Sequence, residues 1–406
     1  MERQYIITER AHLMSPDMEF GIFFTVKSRY EYKQVEDTID SLAYFGHSFM
    51  RARIKDDENG KPYYEILPRP ELICKEMPQK SSYIEDFKAE RNKGWDAYHE
   101  PLLKVLLYPG SEDFGVLFIA HHLLCDGRGL MGLCMEFANC YSENAEPLHS
   151  CERLISSYED FPKGSRLPFI SRAVVSDANM RWKREHKKLS YNEFLEFEEK
   201  YISKKDLIIK NDTYTGKKLD EFYSICKSLN VSVNDFLVAQ MMLIKKTNKV
   251  IVAADIRDKL SSYNKGSLGN YSTAFLVKAS KKTGDVNNLA KEISRNIKKT
   301  MSSPAKLMLV LACYLEMEPE LIDAAPASAS GEFSSNAGDF VGSKMFGYSS
   351  LDKDGNCYSV SNLGRFESGY MKEAVFIPPF TPANKEIWGV VTVNGVMNIC
   401  AVCIAN

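Results

Sequence analysis

The sequence predicts a mixed α+β chain built as two halves, and three features carry that expectation. Short apolar runs rich in branched and aromatic residues, as in buried strands, alternate with stretches whose apolar residues recur every three or four positions, as in helices packed on one side. Asn-Gly and Pro-Gly pairs separate neighbouring strand runs, which signals antiparallel hairpins. Between residues 146 and 168 periodicity gives way to proline, glycine and serine, which marks a connection between domains. The expected division is therefore 1–165 and 166–406. A chain of 406 residues also exceeds what one small core accommodates.

In the first half, residues 20–26 read as a strand. Val35, Ile39 and Leu42 then give a helix face that closes near Gly46. Residues 50–55 and 63–67 read as a hairpin turning at Asn59-Gly60, and 102–108 pairs with 114–120 across Pro109-Gly110-Ser111. After Gly127, the residues Leu130, Leu133, Cys134, Phe137 and Tyr141 fall on one helix face.

In the second half, a charge-rich helical stretch carries Trp182, Leu189, Leu195 and Tyr201. Leu219, Phe222, Ile225 and Leu229 mark a further helix, and 236–244 another, with Ser232 as its N-cap. Strands are expected at 250–254 and 270–277, and helices at 286–300 and 305–316. Residues 324–335, small, polar and alanine-rich, read as a mobile loop. The segment Asp352-Lys353-Asp354-Gly355-Asn356 has the flavour of a calcium loop but lacks its later ligands, so it reads as a hairpin turn. Strand-like runs at 357–361, 374–377 and 387–404 follow, the last folded at Asn394-Gly395.

Composition narrows the function classes. With 44% hydrophobic and 26% charged residues the chain is ordinary for a globular protein. A net charge of -2 supplies no overall cationic field for nucleic acid. The N-terminus lacks the pattern of a secretory signal, and the apolar run 307–315 falls far short of the ~20 residues that span a bilayer. Most of the ten cysteines sit in apolar runs. Cys400 and Cys403 point to opposite faces of a strand, so a reduced, cytoplasmic, metal-free protein is expected.

The chemistry concentrates at His121-His122-Leu123-Leu124-Cys125-Asp126-Gly127, where a buried strand hands over to a helix. Polar side chains at the edge of a core are costly unless partnered. A neutral imidazole beside a cleft accepts a proton from an alcohol or amine near pH 7. Asp126 either orients that imidazole or pairs with a cation that holds the loop shut. The alternative is that both are satisfied polar groups at a strand end, but a His-His pair followed by Asp-Gly at such a junction favours function. Neither a Gly-x-Ser-x-Gly elbow nor a Walker-type loop is present.

This stretch resembles the His-His-x-x-x-Asp-Gly signature of the chloramphenicol acetyltransferase-like superfamily, which includes condensation domains, alcohol acetyltransferases and polyketide-associated acyltransferases. The likeness extends in order along nearly the whole chain. Residues 42–66, with His47, Arg51 and Arg53, are similar to the N-terminal helix, strand and hairpin of those enzymes, and Trp95-Asp96 followed by 101–107 resembles the strand that feeds the motif. Ala254-Asp255-Ile256-Arg257, Leu268-Gly269-Asn270-Tyr271 and Ser361-Asn362-Leu363-Gly364 resemble later segments of the alcohol-acetyltransferase branch.

The resemblance implies two acetyltransferase-like subdomains packed as a pseudo-dimer, each a largely antiparallel mixed sheet flanked by helices, with a tunnel between them. It implies acyl transfer from acyl-CoA or a phosphopantetheinyl thioester to a small alcohol or amine, with no tightly bound cofactor, no metal and no covalent intermediate. His122 would be the general base and His121 a support for its loop. Asp126 would pair with Arg257, and Gly127 would let the chain turn sharply into the following helix. Asn270, Ser361 and Asn362 are candidates for substrate or oxyanion contacts. An acyl- or peptidyl-carrier protein is the further partner implied. A detached condensation domain and an idle carrier-binding relative are the competing readings. The basic run 181–188 reads as a solvated helix face, with a landing site for coenzyme A phosphates or an acidic carrier as its functional alternative.

Overall fold

The computed structural model describes residues 3–280, 284–349 and 355–405. The chain lays down β1 (Gln4–Tyr5), α1 (Arg10–Leu13), β2 (Glu19–Val26), α2 (Tyr32–Ser41), β3 (Ala52–Asp56), β4 (Pro62–Ile66), β5 (Ile73–Glu76), α3 (Tyr83–Arg91), β6 (Leu103–Tyr108), β7 (Phe114–His121) and α4 (Gly127–Glu143). An irregular connection then leads to α5 (Phe169–Glu185), α6 (Tyr191–Ser203), β8 (Leu207–Tyr214), α7 (Gly216–Leu229), α8 (Val233–Ile244), β9 (Lys249–Asp255) and β10 (Ser272–Lys278). After these come α9 (Val286–Met301), α10 (Pro304–Leu307), α11 (Leu309–Glu316), α12 (Pro319–Ala329), β11 (Cys357–Phe366), β12 (Met371–Ile377), β13 (Asn384–Val393) and β14 (Val396–Ile404).

Two mixed sheets organise these elements. One has the order β12-β2-β7-β6-β5 and the other β10-β9-β11-β13-β14-β8, while β1, β4 and β3 form a small third sheet. Neighbours are antiparallel except where β5 meets β6 and where β11 meets β9 and β13. The mixed α/β architecture with a sheet in each half is the one expected. It carries one crossing: β12, from the second half, pairs with β2 of the first-half sheet, Ala374 opposite Phe24 and Ile377 opposite Gly21.

The cores explain why the halves stay together. One face of the first sheet (Leu106, Leu117, Ile119, Val375, Ile377) packs on Leu207, Ile209, Ile387, Cys400 and Val402 of the second. All eight residues of β7 are buried, as its unbroken apolar run requires. Apolar surface buried at such a sheet-to-sheet seam favours the joined state by about 25 cal/mol per Å².

Local signals act where they were expected. The β3–β4 hairpin turns at Asn59-Gly60, with Gly60 at φ +71°, and Asn394-Gly395 closes β13–β14, both residues having positive φ. Ser232 caps α8 by accepting from the Asp235 N–H while the Asp235 carboxylate receives the Ser232 N–H. Ser190 does the same for α6 and so divides the charge-rich stretch into two helices. Cys400 is buried and Cys403 half-buried on β14.

The loop expected at 324–335 is corrected in its first half, 324–329, while 330–335 is irregular as expected. Residues 319–329 are helix α12, and Ala324, Ala325 and Ala327 are fully buried. Alanine is the best helix former, and small side chains let α12 approach its neighbours closely: a Cβ on Gly342 would lie 2.2 Å from the Ala325 carbonyl oxygen. A buried ion pair, Arg10 to Asp323 at 2.5 Å, ties α12 to α1. The turn expected at 352–356 falls mostly outside the described residues. Strands β5 and β8 and helix α3 had no counterpart in the sequence reading. Among the described residues, no helix is long and apolar enough to cross a membrane.

Candidate active site

β7 ends at His121, the chain makes a tight turn in which Leu124 N–H bonds the His121 carbonyl (2.8 Å), and α4 begins at Gly127. Asp126 is the N-cap, in extended conformation, with its Oδ1 accepting from the Gly129 N–H at 2.9 Å. That carboxylate accepts twice more: Arg257 donates to Oδ1 at 2.5 Å and the Tyr271 N–H to Oδ2 at 2.8 Å. Burial would raise its pKa, but Arg257 and these donors outweigh burial and hold it below the usual carboxylate range. Arg257 is itself shared with Asp255, 2.9 Å away. No hydrogen bond joins Asp126 to His122 among the described residues, and its three donors make it a clamp.

The clamp fastens a second segment to the turn. Asp126 N–H donates to the Gly269 carbonyl at 3.2 Å, and Asn270 next to it reaches His122. Gly269 adopts φ +145°, where the Tyr271 ring would stand 2.9 Å from any Cβ, so only glycine fits.

His122 is placed by its backbone, a stacking partner and an amide. Its N–H bonds the Met18 carbonyl at 2.9 Å, and His12 of α1 stacks on its ring at 4.3 Å, 15° from parallel. Phe20 tilts against it at 5.1 Å. Asn270 Nδ2 donates to the His122 carbonyl at 2.8 Å, which turns Asn270 Oδ1 toward the ring, 2.9 Å from Nδ1. An oxygen can only accept, so Nδ1 carries the proton and Nε2 the lone pair. Burial pushes the His122 pKa below its ordinary 6.5, leaving the ring neutral near pH 7. The residue is nonetheless only half-buried.

His121 differs from its neighbour. It is 3% exposed, its Nδ1 accepts from the Leu123 N–H at 3.2 Å, and burial lowers its pKa to about 3. Its ring leans on Trp95 at 5.8 Å. A nitrogen receiving a backbone hydrogen bond is not free to take a proton, so His121 is a neutral support. Beside it, Glu19 pairs in register on β2 with both carboxylate oxygens buried and without a hydrogen-bond partner among the described residues. Burial raises its pKa to about 8, so it is held as a neutral acid.

Other expected members fall differently. The reason for Gly127 is corrected: it is absent from the glycines with positive φ and begins α4 in place of a sharp turn. A Cβ there would meet Leu363 at 2.7 Å and Phe376 at 3.0 Å, so close approach of β11 and β12 demands glycine. Asn270 commits its Oδ1 and an amide hydrogen to His122, which makes it a positioning residue. Ser361 and Asn362 lie on β11; Asn362 Oδ1 accepts from the Gly364 N–H at 2.9 Å, and no hydrogen bond joins either to His122 among the described residues. Sequence reasoning missed His12, Phe20 and Met18. Only the β2–β7 register, Glu19 opposite His121, brings Met18 and Phe20 to the turn, and a lone histidine in residues 10–13 carries no signal of its own.

The fold has clear relatives among solved structures. The polyketide synthase associated protein 5 of Mycobacterium tuberculosis superposes with a TM-score of 0.59 at 11% identity, covering 100% of this chain and 93% of that one. The epimerization domain from the third module of tyrocidine synthetase B gives 0.56 at 13% identity, covering 98% and 88%. The starter condensation domain of rhizomide synthetase, in a complex with C8-CoA and Leu-SNAC, gives 0.58 at 10% identity, covering 99% and 89%. The chain has the condensation-domain fold. It is the chloramphenicol acetyltransferase-like pseudo-dimer, two sheet-and-helix halves around the β7–α4 turn. At these identities the likeness speaks for the fold alone. No protein-family model matches the sequence, and no curated protein sequence does.

Proposed function

We propose that this condensation-domain-like protein is an acyltransferase that moves an acyl group from a coenzyme A or carrier-bound thioester to an alcohol or amine. The observation that carries the reading is the state of His122: neutral, locked as the Nδ1–H tautomer by Asn270, with no hydrogen-bond partner on Nε2 among the described residues and a half-buried ring. Nε2 takes the proton from the acceptor O–H or N–H as that atom bonds to the thioester carbonyl carbon. The carbon–sulfur bond then breaks, and Nε2–H returns the proton to the departing thiolate. Nδ1–H···Oδ1 of Asn270 steadies the imidazolium that exists between the two transfers. A base so placed contributes about 10²–10⁴-fold, and orientation of the two substrates supplies much of the remainder. Asp126 and Arg257 act only by holding the loop.

The fold also hosts epimerization in tyrocidine synthetase B, so the site and not the fold carries the proposal. The test is release of free thiol from acetyl-CoA and longer acyl-CoAs in the presence of alcohol and amine panels, with acyl product identified by mass. Product formation abolished in His122→Ala supports the reading. Transfer seen only between two carrier-bound aminoacyl groups moves the assignment to a condensation domain. A folded protein inert with every donor and acceptor makes it an idle relative.

A further inference from the structure

The strongest unexplained surface is helix α5 and the turn before it. Residues 163–188 hold eight lysines and arginines against two acids, Asp177 and Glu185, a local excess of six positive charges in a chain whose net charge is -2. The inner face of α5 is ordinary: Val175, Ala178 and Trp182 are buried. Its outer face is not. Phe169 is 86% exposed and Ile170 77%, and Val174 and Met180 continue the stripe at 36% and 49%. Positions 170, 173, 174, 177, 180, 181 and 184 follow the i, i+3, i+4 rule, so the apolar stripe runs directly into Arg181 and Arg184. Two consecutive large apolar side chains standing almost wholly in water are costly and call for a partner.

Part of the positive charge is used internally. Arg172 pairs with Glu316 at 3.3 Å, Lys183 with Glu318 at 2.8 Å, and Arg181 with Asp177 at 2.8 Å. Arg166 lies over the Tyr158 ring, and Lys163 and Arg184 make no ion pair among the described residues. What remains is an apolar knob, Pro168-Phe169-Ile170, with uncommitted cations on both sides.

We propose that this face binds an anionic membrane surface, with Phe169 and Ile170 inserted at the headgroup boundary and Lys163, Arg166 and Arg184 meeting lipid phosphates. A bilayer interface closes around a protruding pair of apolar side chains flanked by cations, which is the arrangement at Phe169 and Ile170. The charge asymmetry fixes the orientation: the rest of the chain is net negative and turned away by the same lipids. Among the described residues no helix is long and apolar enough to span, so the proposed contact is with the membrane surface. The inference does not depend on the acyl-transfer reading, since none of these residues contacts His122 among the described contacts.

The test is flotation of the full chain with vesicles of phosphatidylcholine containing about one third phosphatidylglycerol, against vesicles of phosphatidylcholine alone. Wild type is expected to float with the anionic vesicles and to dissociate as salt is raised. Phe169→Ser/Ile170→Ser is expected to weaken that binding about tenfold or more with an unchanged melting temperature, because both side chains are exposed. Lys163→Gln/Arg184→Gln is expected to flatten the salt dependence. Absence of wild-type flotation, equal flotation by the serine variant, or equal binding to neutral vesicles overturns the proposal. So does a dimer in light scattering that the serine variant abolishes, which would assign the face to a second copy of the chain.

Discussion

His47 and His122 both border helix α4, and their surroundings drive them to opposite states. His47, 1% exposed, lies between Glu136 of α4, 2.9 Å from its Nε2, and Glu152 of the interdomain connection, 3.2 Å from its Nδ1. Burial by itself would lower its pKa, but the two carboxylate hydrogen bonds overcome burial and raise it to about 9, so it is a permanent cation near pH 7. His122 hydrogen-bonds an amide oxygen and stacks on a second imidazole, and burial outweighs the charge of Asp126, which is engaged by Arg257. One ring is charged with both nitrogens engaged, a rivet between α4 and the connection; the other is neutral, with no partner on Nε2 among the described residues. The chemistry of the partner decides which histidine is able to act as a base, and burial alone does not.

That contrast can be broken from either side. The largest effect is expected from His122→Ala, which should lower turnover by about 10²–10⁴-fold while leaving the denaturation midpoint nearly unchanged. Turnover that survives would remove His122 from the chemistry. Next, Arg257→Met strands the buried Asp126 carboxylate on two backbone N–H groups, and urea unfolding should show a loss of roughly 3–5 kcal/mol. A loss below about 1 kcal/mol would mean that the clamp is not what holds the turn.

The His47 rivet makes a prediction in pH. Its folded pKa, about 9, lies above the ordinary 6.5, so its stabilisation is complete below pH 6.5 and drains away as pH rises through 9. Over that window wild type should lose on the order of 2–3 kcal/mol relative to its own stability at pH 6, a slope that His47→Gln should lack. Matching pH profiles for the two proteins would show that His47 is not charged.

The smallest and most specific effect concerns Asn270. Asn270→Asp places a carboxylate where the amide oxygen stood and so gives His122 the kind of partner that His47 has. The acid limb of the pH–rate profile, expected below pH 6.5 in wild type because burial lowers the His122 pKa, should move upward by about one unit. Asn270→Leu should instead lower kcat about tenfold or more by freeing the tautomer, and move that limb downward, because the hydrogen bond it removes favours the charged ring. An Asp variant with an unshifted limb would break the link between Asn270 and His122.

Much of the architecture was legible because local rules govern it. Unbroken apolar β7, the Asn-Gly hairpins, the Ser232 cap and the β7–α4 junction each depend on residues within a few positions of one another. Residues 324–329 read as loop because small residues without a strong periodic contrast look like one until a neighbouring helix covers them. Strands β5 and β8 escaped because their apolar alternation is weak at exposed positions: three of the four residues of β5 are exposed. Placing β12 on the first-half sheet required the register with β2, which no pattern within 371–377 announces.

By itself, then, the sequence determined where a strand gives way to a helix, which polar residues crowd that junction, and which backbone turns close the hairpins. These follow from side-chain periodicity and backbone preference, which act over short range. Tertiary structure alone decided that Asn270, 148 residues away, holds the tautomer of His122, that His12 stacks on it, and that Glu136 and Glu152 make His47 a cation. Proton affinity depends on desolvation and on charges a few ångströms off through space, and spacing along the chain does not encode those distances.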